Sequence, residues 1–335
     1  MTSSLIEKNF GRESCRQELA ALCAQIGLKT PMWLQGAGGN VSRKFLDGQS
    51  LRLWIKASGY RVDAVTKDDG LAEVDLATFY KAAHTTGLLP APASDVQATK
   101  VNEESYHTLL GSSTIAGANG QGRPSMETGF HAMLAAPWVV HLHALSALLM
   151  AHVYQQYPED LAWVCKRHRT VVLPALMPGL SLTWATARHA QASHIILANH
   201  GVVLALQHSD ELASWQQLEY EFCDRHGFDV LTQILSGDSA SFVRATQQPI
   251  PLRFYFPDTA VFFAKLQPCL RQWRPSEASE PLYVLETDDQ DLQEIWAAQQ
   301  ILYAACPELP SLPEAIVNSV ASLPTEQLRL AKIAS

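Results

Sequence analysis

The chain has 335 residues, 47% of them hydrophobic and 17% charged, an ordinary globular composition that is long enough for one large domain or two. A formal net charge of −8 excludes the basic surface that nucleic-acid binding requires, and a membrane span is excluded because no apolar run approaches about 18 residues. Six scattered cysteines without a C-x-x-C pair, and an amino terminus without an apolar signal segment, indicate reduced thiols in a cytoplasmic protein.

The amino-terminal part of the chain predicts helices and strands in alternation. Apolar residues at helical spacing predict a helix over residues 14–26, which Gly27 ends. A glycine-rich loop follows over residues 36–43. The alternating residues 51–55 predict a strand, which ends in the turn Lys56-Ala-Ser58-Gly59. A helix that Asp75 caps is expected next, ending near residue 83.

The middle of the chain continues this alternation. Apolar spacing predicts helices over residues 104–110, 127–135, 146–154, 182–192 and 210–223, and strands over residues 138–143, 171–174 and 194–199. Because no strict βαβ repeat is visible, we predict an α/β fold whose sheet is mixed or largely antiparallel and is covered by helices on both faces.

A polar segment over residues 237–251, with Pro249 and Pro251, indicates a domain boundary. We therefore predict one domain over residues 1–248 and a small C-terminal α/β extension over residues 249–335, which is either separate or part of the same domain. The extension is predicted to contain a strand over residues 282–286 and a helix that begins at Asp288 or Asp289 and ends near residue 305.

Two histidines stand two residues apart in Trp138-Val-Val-His141-Leu-His143-Ala. A strand places residues i and i+2 on one face, so both side chains could bind the same ion. Glu127 precedes them at the predicted start of a helix, and His200 follows in Asn-His200-Gly201. Three histidine ligands leave a fourth position open, as catalytic zinc sites do. Taken singly, each histidine is more simply a core or surface residue, and Glu127 a carboxylate that stabilises the helix dipole.

The glycine-rich loop has two interpretations. Gly36-x-Gly38-Gly39-Asn40 fails the dinucleotide-binding pattern, because Val41 stands where the third glycine is required. Its glycines would instead let backbone N–H groups turn towards a phosphate, with Asn40 adding a side-chain donor. The turn at Ser58-Gly59 is a second turn whose donors could face a phosphate. Each is an ordinary tight turn when taken alone, but beside a metal site a phosphate pocket is the better account.

Taken in order, these segments resemble those of the class II, metal-dependent sugar-phosphate aldolases and their adducin-like relatives, over about residues 12–225. The stretches around Glu127 and Gly179 most resemble the aldolase half of the bifunctional rhamnulose-1-phosphate aldolase/lactaldehyde dehydrogenase proteins. The resemblance implies a three-layer α/β/α fold with a mixed, largely antiparallel central sheet. It makes residues 1–248 a class II aldolase-like catalytic domain.

The resemblance also implies a role for individual residues. Zn²⁺, or another divalent metal, would be bound by His141, His143 and His200. Glu127 would be the catalytic acid/base that moves the proton on the carbon next to the substrate carbonyl. The residues implied to bind the substrate phosphate are Gly39, Asn40, Ser58, Gly59 and Ser125. The expected partner is a small sugar phosphate, with no nucleic acid and no membrane, and the chain is expected to be a homo-oligomer, commonly a tetramer in this family.

Two departures from the family pattern bear on the reaction. Met126 stands where the simple fuculose- and rhamnulose-type aldolases often have a second small polar residue. A tyrosine that supplies a second proton in the fuculose enzyme has no counterpart near residues 161–163, and Tyr154 and Tyr157 are out of register.

We expect a zinc-dependent aldehyde-lyase that cleaves a phosphorylated ketose, of the deoxyketose 1-phosphate class, by retro-aldol chemistry. The alternatives are an epimerase, a decarboxylase or a dehydratase that uses related enediolate chemistry at the same metal site. A non-catalytic adducin-like binding protein is the alternative from another class.

Overall fold

The computed structural model describes residues 11–93, 97–115, 122–160, 162, 169–198, 200–273 and 280–321. The strands are β1 (Asn40–Asp47), β2 (Ser50–Lys56), β3 (Leu71–Asp75), β4 (Trp138–Leu142), β5 (Thr170–Leu173), β6 (His194–Leu197), β7 (Gly201–Leu206), β8 (Leu270–Trp273) and β9 (Leu282–Leu285). Seven of them form one sheet in the order β3-β2-β1-β4-β7-β6-β5, and β8 pairs with β9. Within the large sheet, all neighbours are antiparallel except the parallel pair β5–β6. The predicted mixed, largely antiparallel sheet is confirmed.

The described α-helices of eight residues or more, together with two shorter ones, are numbered here in chain order. They are α1 (Arg12–Gly27), α2 (Leu76–Thr85), α3 (Lys100–Ser113), α4 (Thr128–Met133), α5 (Leu145–Gln156), α6 (Leu180–Ala187), α7 (Leu212–Arg225), α8 (Asp229–Leu235), α9 (Ser239–Thr246), α10 (Pro257–Leu266), α11 (Gln290–Ala305) and α12 (Glu314–Ala321). Asp75 and Asp289 begin α2 and α11 by accepting a backbone N–H with their side chains. Among the described residues, no helix has the length and apolar character needed to cross a bilayer.

Helices cover both faces of the large sheet. Alternate strand residues point to opposite sides. Trp54 and Val140 join a core with α1, α5 and α7, whereas Ile55 packs with α2 and α3, and Val139 packs with α4 and α6. The three-layer α/β/α arrangement is confirmed.

Several predicted boundaries differ from the structure. Residues 40–43 are predicted to lie in a loop but begin β1, because all four pair with β4, and Ser42 and Arg43 also pair with β2. Strands β7 and β8 were not predicted as elements. The helix expected over residues 182–192 ends at Ala187, because the chain turns there before β6 begins at His194.

The C-terminal region shares the main hydrophobic core. Ile250, Phe262, Ile295 and Val320 belong to the same buried cluster as Leu19 of α1. The segment predicted as a boundary contains α9, which packs against α11. The division at residue 248 stays a prediction. Five cysteines lie among the described residues, all as free thiols, and Cys165 lies outside them.

A hydrogen bond to one buried carboxyl group connects α7 to the segment before β1. Glu219 is fully buried, and its Oε2 accepts a hydrogen bond of 2.6 Å from Trp33 Nε1. Burial raises the pKa of Glu219 to about 8, against the opposing effects of Trp33 and the Lys29 charge. The native state therefore binds this proton more tightly than the unfolded chain does.

Glu219→Gln should remove a pH dependence of stability. The protonated carboxyl group contributes its full stabilisation at pH values below its pKa in the unfolded chain, which is about 4.3. This contribution is lost as the pH rises through its pKa in the folded protein, which is about 8. Between pH 5 and pH 8, the free energy of unfolding should fall in the wild type by more than about 1 kcal/mol beyond its fall in E219Q. Urea denaturation at both pH values measures this. The exposed-residue control E104Q should follow the wild type, and equal falls in wild type and E219Q would contradict the prediction.

Candidate metal centre and active site

The three predicted histidine ligands meet at one end of the large sheet. His141 is the fourth residue of β4 and lies opposite Asn40 of β1 on one side and Val203 of β7 on the other. His143 follows directly after β4 ends. His200 lies in the tight turn between β6 and β7, whose ends are paired at Leu197 and Gly201. The strand order therefore brings residues that are 57 to 59 positions apart in the chain to one place.

The imidazole rings converge. Their centroids are 5.0 Å apart for His141–His143, 4.9 Å for His141–His200 and 5.1 Å for His143–His200. One nitrogen of each ring lies within 4.8 Å of a nitrogen of each other ring. All three side chains are buried, with 0%, 6% and 8% of their residue surface exposed. This grouping could bind a metal ion.

Glu127 faces the same point. It is the N-cap residue of α4, and its Oε1 lies 3.6 Å from His141 Nε2 and 3.6 Å from His200 Nε2. Its other oxygen accepts a hydrogen bond of 2.7 Å from Asn40 Nδ2. Asn40 Nδ2 also donates to Ser125 Oγ over 3.0 Å, and Ser125 Oγ accepts from the backbone N–H of Glu127 over 3.2 Å. These bonds fix the carboxylate towards the histidines.

Burial and mutual charge set the protonation states in this cluster. Burial lowers the pKa of His141 and lowers that of His200 to about 3, although the Glu127 carboxylate opposes both shifts. Burial alone would raise the pKa of Glu127, but the three histidines and the Asn40 hydrogen bond lower it to about 2. At neutral pH the imidazoles of His141 and His200 are therefore neutral, and the Glu127 carboxylate is ionised. Those are the states that bind a divalent cation.

Two buried polar atoms without a hydrogen-bond partner in the described part of the chain bear on whether a cation fits this place. Glu127 Oε1 and His141 Nε2 are buried and have no hydrogen-bond partner among the described residues. His141 Nδ1 is 3.1 Å from the carbonyl oxygen of Val202, to which it can only donate, so its Nε2 presents a lone pair. A buried polar atom without a partner is costly. A divalent cation among these atoms satisfies them, and three imidazoles beside one carboxylate are a donor set that zinc accepts.

The residues predicted to bind phosphate line one pocket beside this cluster. Gly39, Asn40, Ser58, Gly59 and Ser125 all contribute to its wall. Glu127, His143 and His200 line the same pocket, whereas His141 is fully buried and is not part of the wall. The structure thus brings every predicted site residue to one location. Their individual roles stay predictions.

Of the other residues considered from the sequence, some line the pocket and others do not. Lys56 lines the pocket, and its Nζ donates to the carbonyl oxygens of Ala37 (3.1 Å) and Tyr60 (2.7 Å), whereas Arg123 is exposed and is not in the wall. Met126 lines the pocket in the place of a polar residue. Neither Tyr154 nor Tyr157 lines it. Residues 161–163, where the family pattern predicts a tyrosine, lie outside the described residues except for residue 162.

The part of the wall that comes from the C-terminal region was not predicted from the sequence. Pro257, Asp258 and Val261 of α10 and Val320 of α12 line the pocket. The sequence signal was a proline at the first position of a helix, which predicts where α10 begins but not what it faces.

A second C-terminal contact supports the glycine-rich loop. Arg61 lies between Asp291 and Glu294 of α11 and forms ion pairs with both. Glu294 Oε2 also accepts the backbone N–H of Gly36 over 2.9 Å. The loop that lines the pocket is therefore attached to α11.

The family model of the class II aldolase and adducin N-terminal domain matches residues 17–220. The chain belongs to this family. No curated protein matches significantly.

Three solved structures illustrate the structural similarity. The N-terminal class II aldolase domain of a conserved protein from Thermoplasma acidophilum is 22% identical, with a TM-score of 0.47 over 63% of this chain and 91% of that chain. An aldolase II superfamily protein from Pseudomonas syringae is 17% identical, with a TM-score of 0.44 over 68% and 78%. A sugar-phosphate aldolase from Thermotoga maritima is 15% identical, with a TM-score of 0.42 over 63% and 94%.

Gly201 is required for the turn that carries His200. Its φ is +116°, and a Cβ there would lie 2.0 Å from the carbonyl oxygen of Leu142. We expect Gly201→Ala to lower the free energy of unfolding by at least about 2 kcal/mol, because backbone strain and a backbone clash act together. Urea denaturation measures the loss. The matched control is Gly227→Ala, at φ +69° with no atom within 4 Å of the new Cβ. Equal losses in the two variants would show that the clash contributes nothing.

Proposed function

We propose that this chain is a zinc-dependent aldehyde-lyase that cleaves a phosphorylated ketose, of the deoxyketose 1-phosphate class, by retro-aldol chemistry. We further propose that it works in the cytoplasm as a homo-oligomer. The observation that supports the proposal is the orphaned Glu127 Oε1, 3.6 Å from two of three converging imidazoles, beside a pocket lined with hydrogen-bond donors.

The metal would be bound by His141, His143 and His200. When bound, it supplies Lewis-acid stabilisation of the negative charge that develops on the substrate oxygens. Three neutral imidazoles suit this role, because they leave the double positive charge of the ion undiminished, whereas thiolate ligands would offset it.

Glu127 would carry the proton on the carbon next to the substrate carbonyl. In the condensation direction this carbon must lose a proton, and a carboxylate that is ionised at neutral pH can accept it. In the cleavage direction the hydroxyl that becomes the aldehyde oxygen loses its proton, the Glu127 carboxylate takes up one proton, and the same oxygen delivers it to that carbon as the carbon–carbon bond breaks. Asn40 holds the other carboxylate oxygen, so Oε1, which has no hydrogen-bond partner among the described residues, would carry the proton.

The remaining pocket wall would bind the phosphate. The Ser58 hydroxyl and the Gly59 backbone N–H are donors in this wall, and Lys56 adds a buried ammonium group. Gly39 and Asn40 would complete the wall by their position, since the Gly39 N–H bonds to His143 and both Asn40 amide hydrogens bond to Ser125 and Glu127. A phosphate held away from the bond that breaks supplies binding energy that orients the substrate against Glu127.

The first test compares wild type with Glu127→Gln. We expect the zinc-loaded wild type to release an aldehyde from at least one ketose 1-phosphate in a screen of such substrates. E127Q should retain zinc, because the three histidines remain, and should lose about 10²–10⁴-fold in kcat, because the amide cannot carry the proton. Zinc content measured on the same samples is the control. Full turnover by E127Q would refute the assigned acid/base.

The other candidate functions are distinct outcomes of the same screen. Product analysis that finds an epimer, carbon dioxide or a dehydrated sugar in place of the aldehyde would assign a related reaction at the same site. A protein that binds zinc and turns over none of these substrates would favour the adducin-like binding function.

The second test concerns the phosphate. Ser58→Ala should raise KM for a phosphorylated substrate about tenfold or more, since a hydrogen bond to a charged group contributes about 1.5–3 kcal/mol. The kcat should change little, because this contact is the same in the ground and transition states. The unphosphorylated sugar serves as the internal control, and its kcat/KM should be the same in both proteins. An equal effect of S58A on both substrates would place the phosphate elsewhere.

A further inference from the structure

Asp258 lies against the metal centre but outside the residues that the family model matches, which end at residue 220. It is the second residue of α10, after Pro257, and it is fully buried. Its Oδ2 lies 2.5 Å from Nδ1 of His143. A negative charge in the first turn of a helix is stabilised by the helix dipole, so this is a favourable place for a buried carboxylate.

The contacts of the two ring nitrogens of His143 identify its tautomer. The backbone N–H of Gly39 donates to Nε2 over 3.3 Å, so Nε2 presents a lone pair. Nδ1 therefore bears the proton, and the Asp258 carboxylate accepts it. The hydrogen bond from Gly39 is long and weak. A cation can replace it without a large loss.

The position of the His143 ring is also restricted on its other side. A Cβ added at Gly38 would lie 2.6 Å from Nδ1 of His143, so the ring packs directly on the glycine backbone. Between this backbone and Asp258, the ring has one orientation. His141 is held differently, because its Nδ1 donates to a backbone carbonyl that no side-chain substitution removes. His143 depends on a single side chain, 115 residues further along the chain.

We propose that Asp258 is a positioning residue of the metal centre: its carboxylate accepts the Nδ1 proton of His143 and so fixes the ring orientation and the tautomer that present Nε2 to a divalent cation. This inference rests on the proposed function, in that it takes the three histidines as the ligands. It assigns to the C-terminal region a direct part in metal affinity. Partners of this kind orient the ligand and increase its basicity, and their loss costs about 10–100-fold in metal affinity.

The test measures zinc affinity rather than catalysis. Wild type, Asp258→Ala and Asp258→Asn are titrated with zinc in competition with a chromophoric chelator at one pH. The matched control is Asp160→Asn, which removes another buried aspartate that contacts a histidine, His226, and does not line the pocket. D258A should lose about 10–100-fold in affinity, D258N should lie between D258A and wild type, and D160N should equal wild type.

A second readout separates positioning from a general loss of stability. The thermal unfolding midpoint of each variant is measured without metal and at one fixed zinc concentration. A purely structural role would lower the metal-free midpoint and leave the zinc-induced increase unchanged. A positioning role reduces the increase itself, because stabilisation by a ligand follows its concentration relative to Kd. The visible spectrum of the cobalt-substituted protein should also differ between D258N and wild type and not between D160N and wild type.

The outcomes are distinguishable. If wild type binds zinc and both Asp258 variants bind it equally tightly, the positioning role is overturned while the proposed function stands. If D258A fails to fold, D258N decides, because it preserves the size of the side chain, and an affinity equal to that of wild type overturns the proposal. If D160N loses as much affinity as D258N, the effect is not specific to His143. A wild-type protein that takes up no zinc overturns this inference together with the proposed function.

Discussion

The approach of the Glu127 carboxylate to two buried imidazole nitrogens is the constraint on which this site depends. Glu127 Oε1 and His141 Nε2 are withdrawn from water and accept no hydrogen bond from the described residues. An unsatisfied buried polar atom costs about 1–3 kcal/mol. The fold bears this cost at two adjacent atoms while satisfying the atoms behind them, through Asn40 for the carboxylate and Val202 for the imidazole. Such a pattern is expected of a site that is completed by a cation rather than of a core packed for stability.

The backbone brings these groups together through strand register. His141 lies opposite Asn40 in β1, so the amide that holds Glu127 is placed by the same ladder that places the first histidine. On the other side, β4 pairs with β7, which begins at Gly201 directly after His200. A shift of one residue in either ladder would turn the partners to the opposite face of the sheet. The register of the sheet therefore fixes the relative positions of the groups in the candidate metal centre.

Features that depend on local spacing could be predicted from the sequence. The His-x-His pair lies at the end of a strand, as the apolar run before it indicated, and Glu127 lies at the start of a helix as expected. Features that depend on distant partners could not. Residues 40–43 resemble a loop in isolation, and only their pairing with two strands makes them part of β1. The contact of Asp258 could not be predicted for the same reason, because no sequence spacing relates it to a histidine 115 residues earlier. The residues proposed to bind phosphate were identified by family resemblance, since each turn alone looks like an ordinary tight turn.

The C-terminal region explains why the matched family domain does not account for the whole pocket. Within the described residues, the domain supplies the histidines, Glu127 and the donors, whereas Val261 of α10 and Val320 of α12 supply an apolar wall. The glycine-rich loop, in turn, is attached to α11 through Glu294. Since Glu127 comes from the matched domain and these two valines from another region, the shape of this wall can vary while Glu127 stays in place. A substitution at either valine should change the shape of this wall and leave the distances from Glu127 to His141 and His200 unchanged. The family motif therefore constrains the chemistry of this site more tightly than it constrains the substrate.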